Sequence, residues 1–204
     1  MSGQASSRTI SWWNISAQLT TRAWVLIPLG VGLNFVGDFI VKLLRLPIFL
    51  DTIGTIVISI LAGPWVGAIT GTISAVVNNL ANPPIWLYSL AQIAIAFTAG
   101  FLASRGWFKS IWKAAAVGVA ITVVSIVISS PITAVVFGGL TGDPTDVLTG
   151  FFLATTDNVV NAVVGSQAVT QPIDKIISTI LAFLVGMSIP LRYRPPFGRQ
   201  VLPD

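Results

Sequence analysis

Apolar positions in this chain fall in long unbroken runs, and polar side chains are confined to the ends of those runs and to a few places inside them. The first run, Ala23 to Leu46, is about 24 residues and about 36 Å as a helix, long enough to cross a hydrocarbon layer with some tilt. Two shorter runs, Leu50 to Ala62 and Trp65 to Leu80, are divided only by Gly63 and Pro64, a break that reverses the chain. Helices this short need shelter from their neighbours. A polar turn at Asn82-Pro83-Pro84 leads into Ile85 to Ser104, closed by Arg105 and Gly106. A fifth run, from Ile111 to about Val136, ends at Gly138-Gly139 and a polar loop holding Asp143, Pro144 and Asp146. From Val147 to Gln167 the period is helical but Asp157, Asn158, Asn161 and Gln167 interrupt it. Such polarity is tolerable only on surface hidden from lipid, so this segment is expected to pack against protein or dip in from one side. The last run, Asp174 to Pro190, opens with a carboxylate able to cap a helix and is followed by Arg192, Arg194 and Arg199.

The pattern predicts an all-α integral membrane protein: a compact bundle of six transmembrane helices with an additional partly polar helical segment before the last one. Unpaired backbone groups cost several kcal/mol each in a bilayer, so unbroken apolar runs must be helical. Composition agrees, because 204 residues that are 54% hydrophobic and 9% charged cannot present an ordinary solvated surface. Residues 1–21 form a polar interfacial segment with Trp12 and Trp13 at headgroup depth, residues 22–194 a single membrane domain, and residues 195–204 a cytoplasmic tail. The N-terminus lacks the basic-then-apolar order of a cleavable signal, so the first span is expected to direct insertion.

Charge sets orientation. Arg105, Lys109 and Lys113 follow the fourth run, while Arg8, Arg22 and the C-terminal arginines flank the two ends of the domain. Six crossings put all three clusters on one side, the cytoplasm, with both termini there. The opposite loops carry Asp51, Asp143 and Asp146, with Lys42 and Arg45 as exceptions. The net charge of +4 is thus a topology signal and not a nucleic-acid surface. Cysteine and histidine are both absent, which removes disulfides, thiolate nucleophiles, imidazole bases and the usual metal ligands. No cofactor, no metal and no enzymatic activity are expected, and without a Gly-x-x-x-x-Gly-Lys loop any ATP-driven step must come from partners.

With this topology, distant residues fall at one depth toward the outer face. Asn34, Asp38 and Lys42 recur every four residues on the first helix. Asp51 begins the second, Asn78, Asn79 and Asn82 end the third, Gln92 lies two turns into the fourth, and Asp157, Asn158 and Asn161 lie on the mixed segment. Convergence of intramembrane polar groups marks a candidate substrate site, with Trp86 and Tyr88 placed to stack on a flat ligand. Each residue also has a plain reading: Asp51 and Asp174 as N-caps, Asp38 and Lys42 as a self-satisfying i,i+4 pair, Asn78 and Asn79 as helix terminators. A stripe of small residues, Gly67, Gly71 and Ala75, with Gly30 and Gly32 on the first helix, suits either internal packing or docking of a second membrane protein.

The stretch Leu46-Pro47-Ile48-Phe49-Leu50-Asp51-Thr52-Ile53-Gly54-Thr55, then Ala62-Gly63-Pro64-Trp65-Val66-Gly67-Ala68 with Gly71, and Pro172-Ile173-Asp174-Lys175 resemble the substrate-binding S components of energy-coupling factor (ECF) vitamin transporters. The resemblance covers most of Ala23 to Arg194. It implies a binder in a bacterial or archaeal plasma membrane that captures a vitamin or related micronutrient near the outer face. It further implies a transmembrane coupling subunit, two cytoplasmic ATPases, and release of substrate by toppling of the binder. The gating loops of that family would map to Leu46–Leu50, Ala81–Pro84 and Gly138–Gln171. The Ala-x-x-x-Ala docking motif often found on the family's first helix is absent here. Two other classes compete. One is a membrane sensor or input domain, disfavoured because the chain ends at Asp204 without a signalling extension; the other is an enzyme of lipid metabolism, weakened by the lack of His and of a carboxylate pair for metal.

Overall fold

A computed structural model describes residues 12–78, 83–156 and 158–203, and these are all helix, turn and loop, with no strand among them. The helices are α1 (Ile15–Gln18), α2 (Thr21–Leu44), α3 (Ile53–Ala62), α4 (Pro64–Val77), α5 (Ser89–Ser104, preceded by a 3-10 turn over Pro83–Tyr88), α6 (Ile111–Val136), α7 (Asp146–Thr155), α8 (Val159–Ser188) and α9 (Pro196–Val201). Four are long and apolar enough to cross a membrane: α2, the span from Trp86 through α5, α6 and α8. The chain is a helical membrane protein by that measure. Their outward faces agree, since Trp24, Val25, Leu29, Phe39 and Leu43 on α2 and Val119, Val123 and Val127 on α6 are exposed apolar side chains that only lipid would cover.

Of the two short helices, α3 lies inside the bundle, while α4 packs against α2, α3 and α5 and leaves Ile73, Val76 and Val77 exposed. Gly63, at φ +102°, and Pro64 at the first position of α4 make the reversal between them. Every residue of α3 from Gly54 to Ala62 is buried, among α2, α4, α5, α8 and α9. Close approach requires glycine here: a Cβ at Gly54 would collide with the carbonyl of Gly30, and one at Gly67 with the Ser59 side chain. Gly30, Gly67 and Gly71 therefore serve the inside of the bundle, and Ala75 is buried with them. This corrects their assignment to an external docking face. Gly32 alone of that set is exposed, with open space around it.

Three other expectations change. The mixed segment is not one element: its first part is α7, and its second part is the N-terminal half of α8, which runs 30 residues without a break. Pro172 does not start a helix but sits within α8. The Thr122 hydroxyl, donating to the Gly118 carbonyl one turn back (2.9 Å), also lies 3.4 Å from the Gln171 carbonyl and ties α6 to α8 beside the proline. Asp174 is consequently not an N-cap but lies mid-helix, fully buried. The C-terminal segment packs onto the bundle. Phe197, Val201 and Leu202 are buried in the core, α9 packs against Leu61 of α3, and Arg194, itself buried, donates to the carbonyls of Ile189 (2.8 Å) and Pro203 (2.8 Å).

Charge divides the bundle end to end. Arg22, Arg105, Lys109, Lys113, Arg192, Arg194 and Arg199 lie at the end where α2 and α6 begin and α5 and α8 finish. Every described acidic side chain belongs to the other half: Asp38, Asp51, Asp143, Asp146 and Asp174. Substituting Gly54→Leu should force α3 off α2 and destabilise the fold by about 3 kcal/mol, measured as a lower midpoint of thermal unfolding in detergent.

Candidate functional site

Asn34, wholly buried in α2, is the first node of the polar interior. Its Oδ1 accepts from the backbone N–H of Gly54 (2.7 Å) and Thr55 (3.3 Å), satisfying donors in the first turn of α3 that no cap side chain serves. Its Nδ2 donates to the hydroxyls of Thr55 (2.9 Å) and Ser74 (2.9 Å). Thr55 passes the chain on by donating to Gln92 Oε1 (2.8 Å), and Gln92 Nε2 donates to the carbonyl (3.2 Å) and carboxylate (3.2 Å) of Asp51. Four helices are thereby pinned around one set of amide and hydroxyl groups.

Asp51 leads to the second node. Its carboxylate lies 3.5 Å from Lys175 Nζ, and on the other side of that ammonium is Asp174, in contact with it. Thr52 Oγ1 is a third neighbour of Nζ at 3.3 Å. Asp174 turns its other oxygen to the loop between α2 and α3, accepting from the N–H of Leu50 (2.7 Å) and Phe49 (3.4 Å). The loop is thus strapped to the middle of α8. Leu50 holds a left-handed φ of 50°, a conformation that costs a non-glycine residue on the order of 1 kcal/mol and persists only where surroundings impose it.

Beside this node is a cavity of about 100 Å³, room for several waters or one small molecule. The ends of α2 and α4, the starts of α3, α5 and α7, and the middles of α6 and α8 line it. On one wall Gln167 Oε1 accepts from Ser129 (2.8 Å) and Ser130 (2.9 Å), and its Nε2 donates to Thr133 (3.2 Å), whose hydroxyl also meets Tyr88 Oη (2.6 Å). At the mouth Lys42 pairs with Asp38 (3.0 Å) and faces Asp143 (3.8 Å). Asp146 accepts from the N–H of Thr141 (2.9 Å) and Gly142 (2.6 Å), closing the α6–α7 loop over it. Burial holds the Asp143 carboxyl above the usual carboxylate range, against the lowering pull of Lys42 and the Thr141 hydroxyl and with help from Asp146 and Asp51. Three lining groups that are buried have no hydrogen-bond partner among the described residues: Ser125 Oγ, Gln171 Oε1 and Asn78 Oδ1. Unpaired polar atoms cost about 1–3 kcal/mol each, so they belong where water or a ligand completes them.

Of the residues proposed from sequence, Asp38, Asp51, Asn78 and Gln92 line this cavity. Asn34 does not; its hydrogen-bonding groups are taken by α3, α4 and the backbone. Asn158 is exposed and caps α8, accepting from Val160 N–H (2.9 Å) and Asn161 N–H (3.3 Å), and Asn161 is exposed on the outer surface of that first turn. Trp86 is 54% exposed and outside the lining, whereas Tyr88 is in it. Asn79, Asn82 and Asp157 lie outside the described residues. The lining adds residues that had not been singled out as ligands: Ser125, Ser129 and Thr133 on α6, and Gln167, Gln171 and Lys175 on α8. Both sets recur every four residues, and that stripe of polarity inside apolar helices was the available signal.

No family model, no curated protein and no solved structure matches this chain.

Lys175→Met should leave Asp51 and Asp174 as uncompensated buried charges and lower stability by about 3–5 kcal/mol. Adding Asp174→Asn should restore part of the loss, because the amide oxygen still accepts from Leu50. Thermal unfolding of the single and double variants measures the difference.

Proposed function

We propose that this chain is the membrane-embedded substrate-binding subunit, an S component, of an ECF-type importer for a vitamin or related micronutrient. The observation that carries the proposal is the cavity itself: a pocket within the polar half of the bundle, away from the basic end, with buried polar atoms that no described residue satisfies. In this reading α2, α3, α4, α5, α6 and α8 make six crossings, the short α3 passing through shelter rather than lipid. The basic end then faces the cytoplasm with both termini, and the cavity opens outward in a plasma membrane.

The residues around the cavity suit capture and not catalysis. Both lysines in the lining are paired with carboxylates, Ser129 and Thr133 are bonded to Gln167, Tyr88 and backbone carbonyls, and no carboxylate is hydrogen-bonded to a lining serine to activate it as a nucleophile among the described residues. Energy for import would come from two ATPase partners through a transmembrane coupling subunit, contacted by the lipid-facing surface of α2 around Gly32. The strap from Asp174 to Leu50 ties a mouth loop to the binding wall, so occupancy of the cavity and closure of that loop are mechanically linked.

Titration of the purified protein with a panel of vitamins should give micromolar or tighter binding of one member, and affinity purification from native membranes should retain a membrane subunit and ATPases. Absence of both results would overturn the proposal. Ser125→Ala should change stability by less than about 0.5 kcal/mol, since Oγ has no partner to lose, yet weaken that ligand about 2- to 10-fold, read by calorimetry.

A further inference from the structure

We propose that the molecule held in the cavity is a small organic cation bearing N–H donors, such as a protonated amine or a cationic nitrogen heterocycle. This rests on reading the cavity as a substrate site and adds the charge class of its occupant.

The lining has four carboxylates, from Asp38, Asp51, Asp143 and Asp146, against two lysines, and Arg45 stands exposed outside it. Both lysines are already engaged with carboxylates. Lys175 Nζ is in ionic contact with Asp174 and Asp51 and donates to Thr52 Oγ1, and Lys42 pairs with Asp38 with Asp143 3.8 Å away. A ligand carboxylate or phosphate would have to break one of these pairs and then lie among carboxylates in excess, in an interior where charge is weakly screened.

A second, independent feature points the same way. Ser125 and Gln171 are 2% and 5% exposed, line the cavity, and leave Oγ and Oε1 without a partner, and Asn78 adds another bare oxygen. The amide oxygens of Gln171 and Asn78 are completed only by N–H or O–H donors, while the Ser125 hydroxyl can accept or donate. Phe49, Tyr88 and Ile95 supply an apolar wall for a carbon skeleton, and the Phe49 ring already faces a cation, with Lys175 Nζ 6.0 Å from its centroid.

The test uses the full chain purified in detergent and a small-molecule cell extract separated on ion exchangers into cationic, neutral and anionic pools, with sodium and magnesium chloride as separate probes. The cationic pool should raise the unfolding midpoint by about 5 °C and the others by under about 1 °C, on the scale of a ligand near a hundred times its Kd. Asp143→Asn and Ser125→Ala should each reduce that shift. Stabilisation by the neutral or anionic pool alone overturns the charge class while leaving the binding reading intact, and stabilisation by no pool overturns both. An equal shift from the inorganic salts, or a cationic shift that neither variant changes, also overturns the proposal.

Discussion

A carboxylate in the middle of an apolar helix can persist only if charge and hydrogen bonds are brought to it, and Asp174 organises much of this molecule on that condition. Its ammonium partner is the next residue, Lys175, which in turn reaches Asp51 before α3. Its remaining oxygen holds Leu50 and Phe49, so the loop after α2 is fastened to α8. Charges placed this deep contribute little net stability against a well-packed apolar alternative. What they contribute is register: α8, the α2–α3 loop and α3 have one mutual position in which every member is paired.

The Asn34 node does the same for the other side of the core. It supplies acceptors for the start of α3, a helix too short to span lipid and enclosed on every side. The glycines of α2, α3 and α4 allow the approach that brings these groups within hydrogen-bonding distance. Together the two nodes make a rigid polar frame, and the cavity is the region where that frame is left incomplete. Gln167 shows the contrast, being saturated by three hydroxyls, while Gln171 one turn further on has an oxygen facing nothing.

Much of the fold could be read in advance because lipid imposes a simple rule on sequence. The runs that became α2, α5 and α6 were legible to within a few residues, and the Gly63-Pro64 reversal was legible from its backbone chemistry. Errors arose where a local signal had a non-local use. Asp174 after Pro172 reads as a helix start, yet the helix runs through the proline and Asp174 is held in its middle by Lys175 and the N–H of Leu50. Asn158 reads as a ligand and is a cap; Asn34 reads as a ligand and is a strut. Four of the proposed lining residues do meet at one cavity, because each sits at the same end of the bundle.

What the chain determined by itself is its solvent, its helical character, the division of charge between two ends, and the absence of thiol and imidazole chemistry. Those follow from composition and period, which act residue by residue. Only the tertiary structure decided which polar groups are spent on each other and which are left over. That distinction depends on distances between helices far apart in sequence, and a hydrogen bond of 2.7 Å or its absence has no signature in either partner's neighbourhood along the chain.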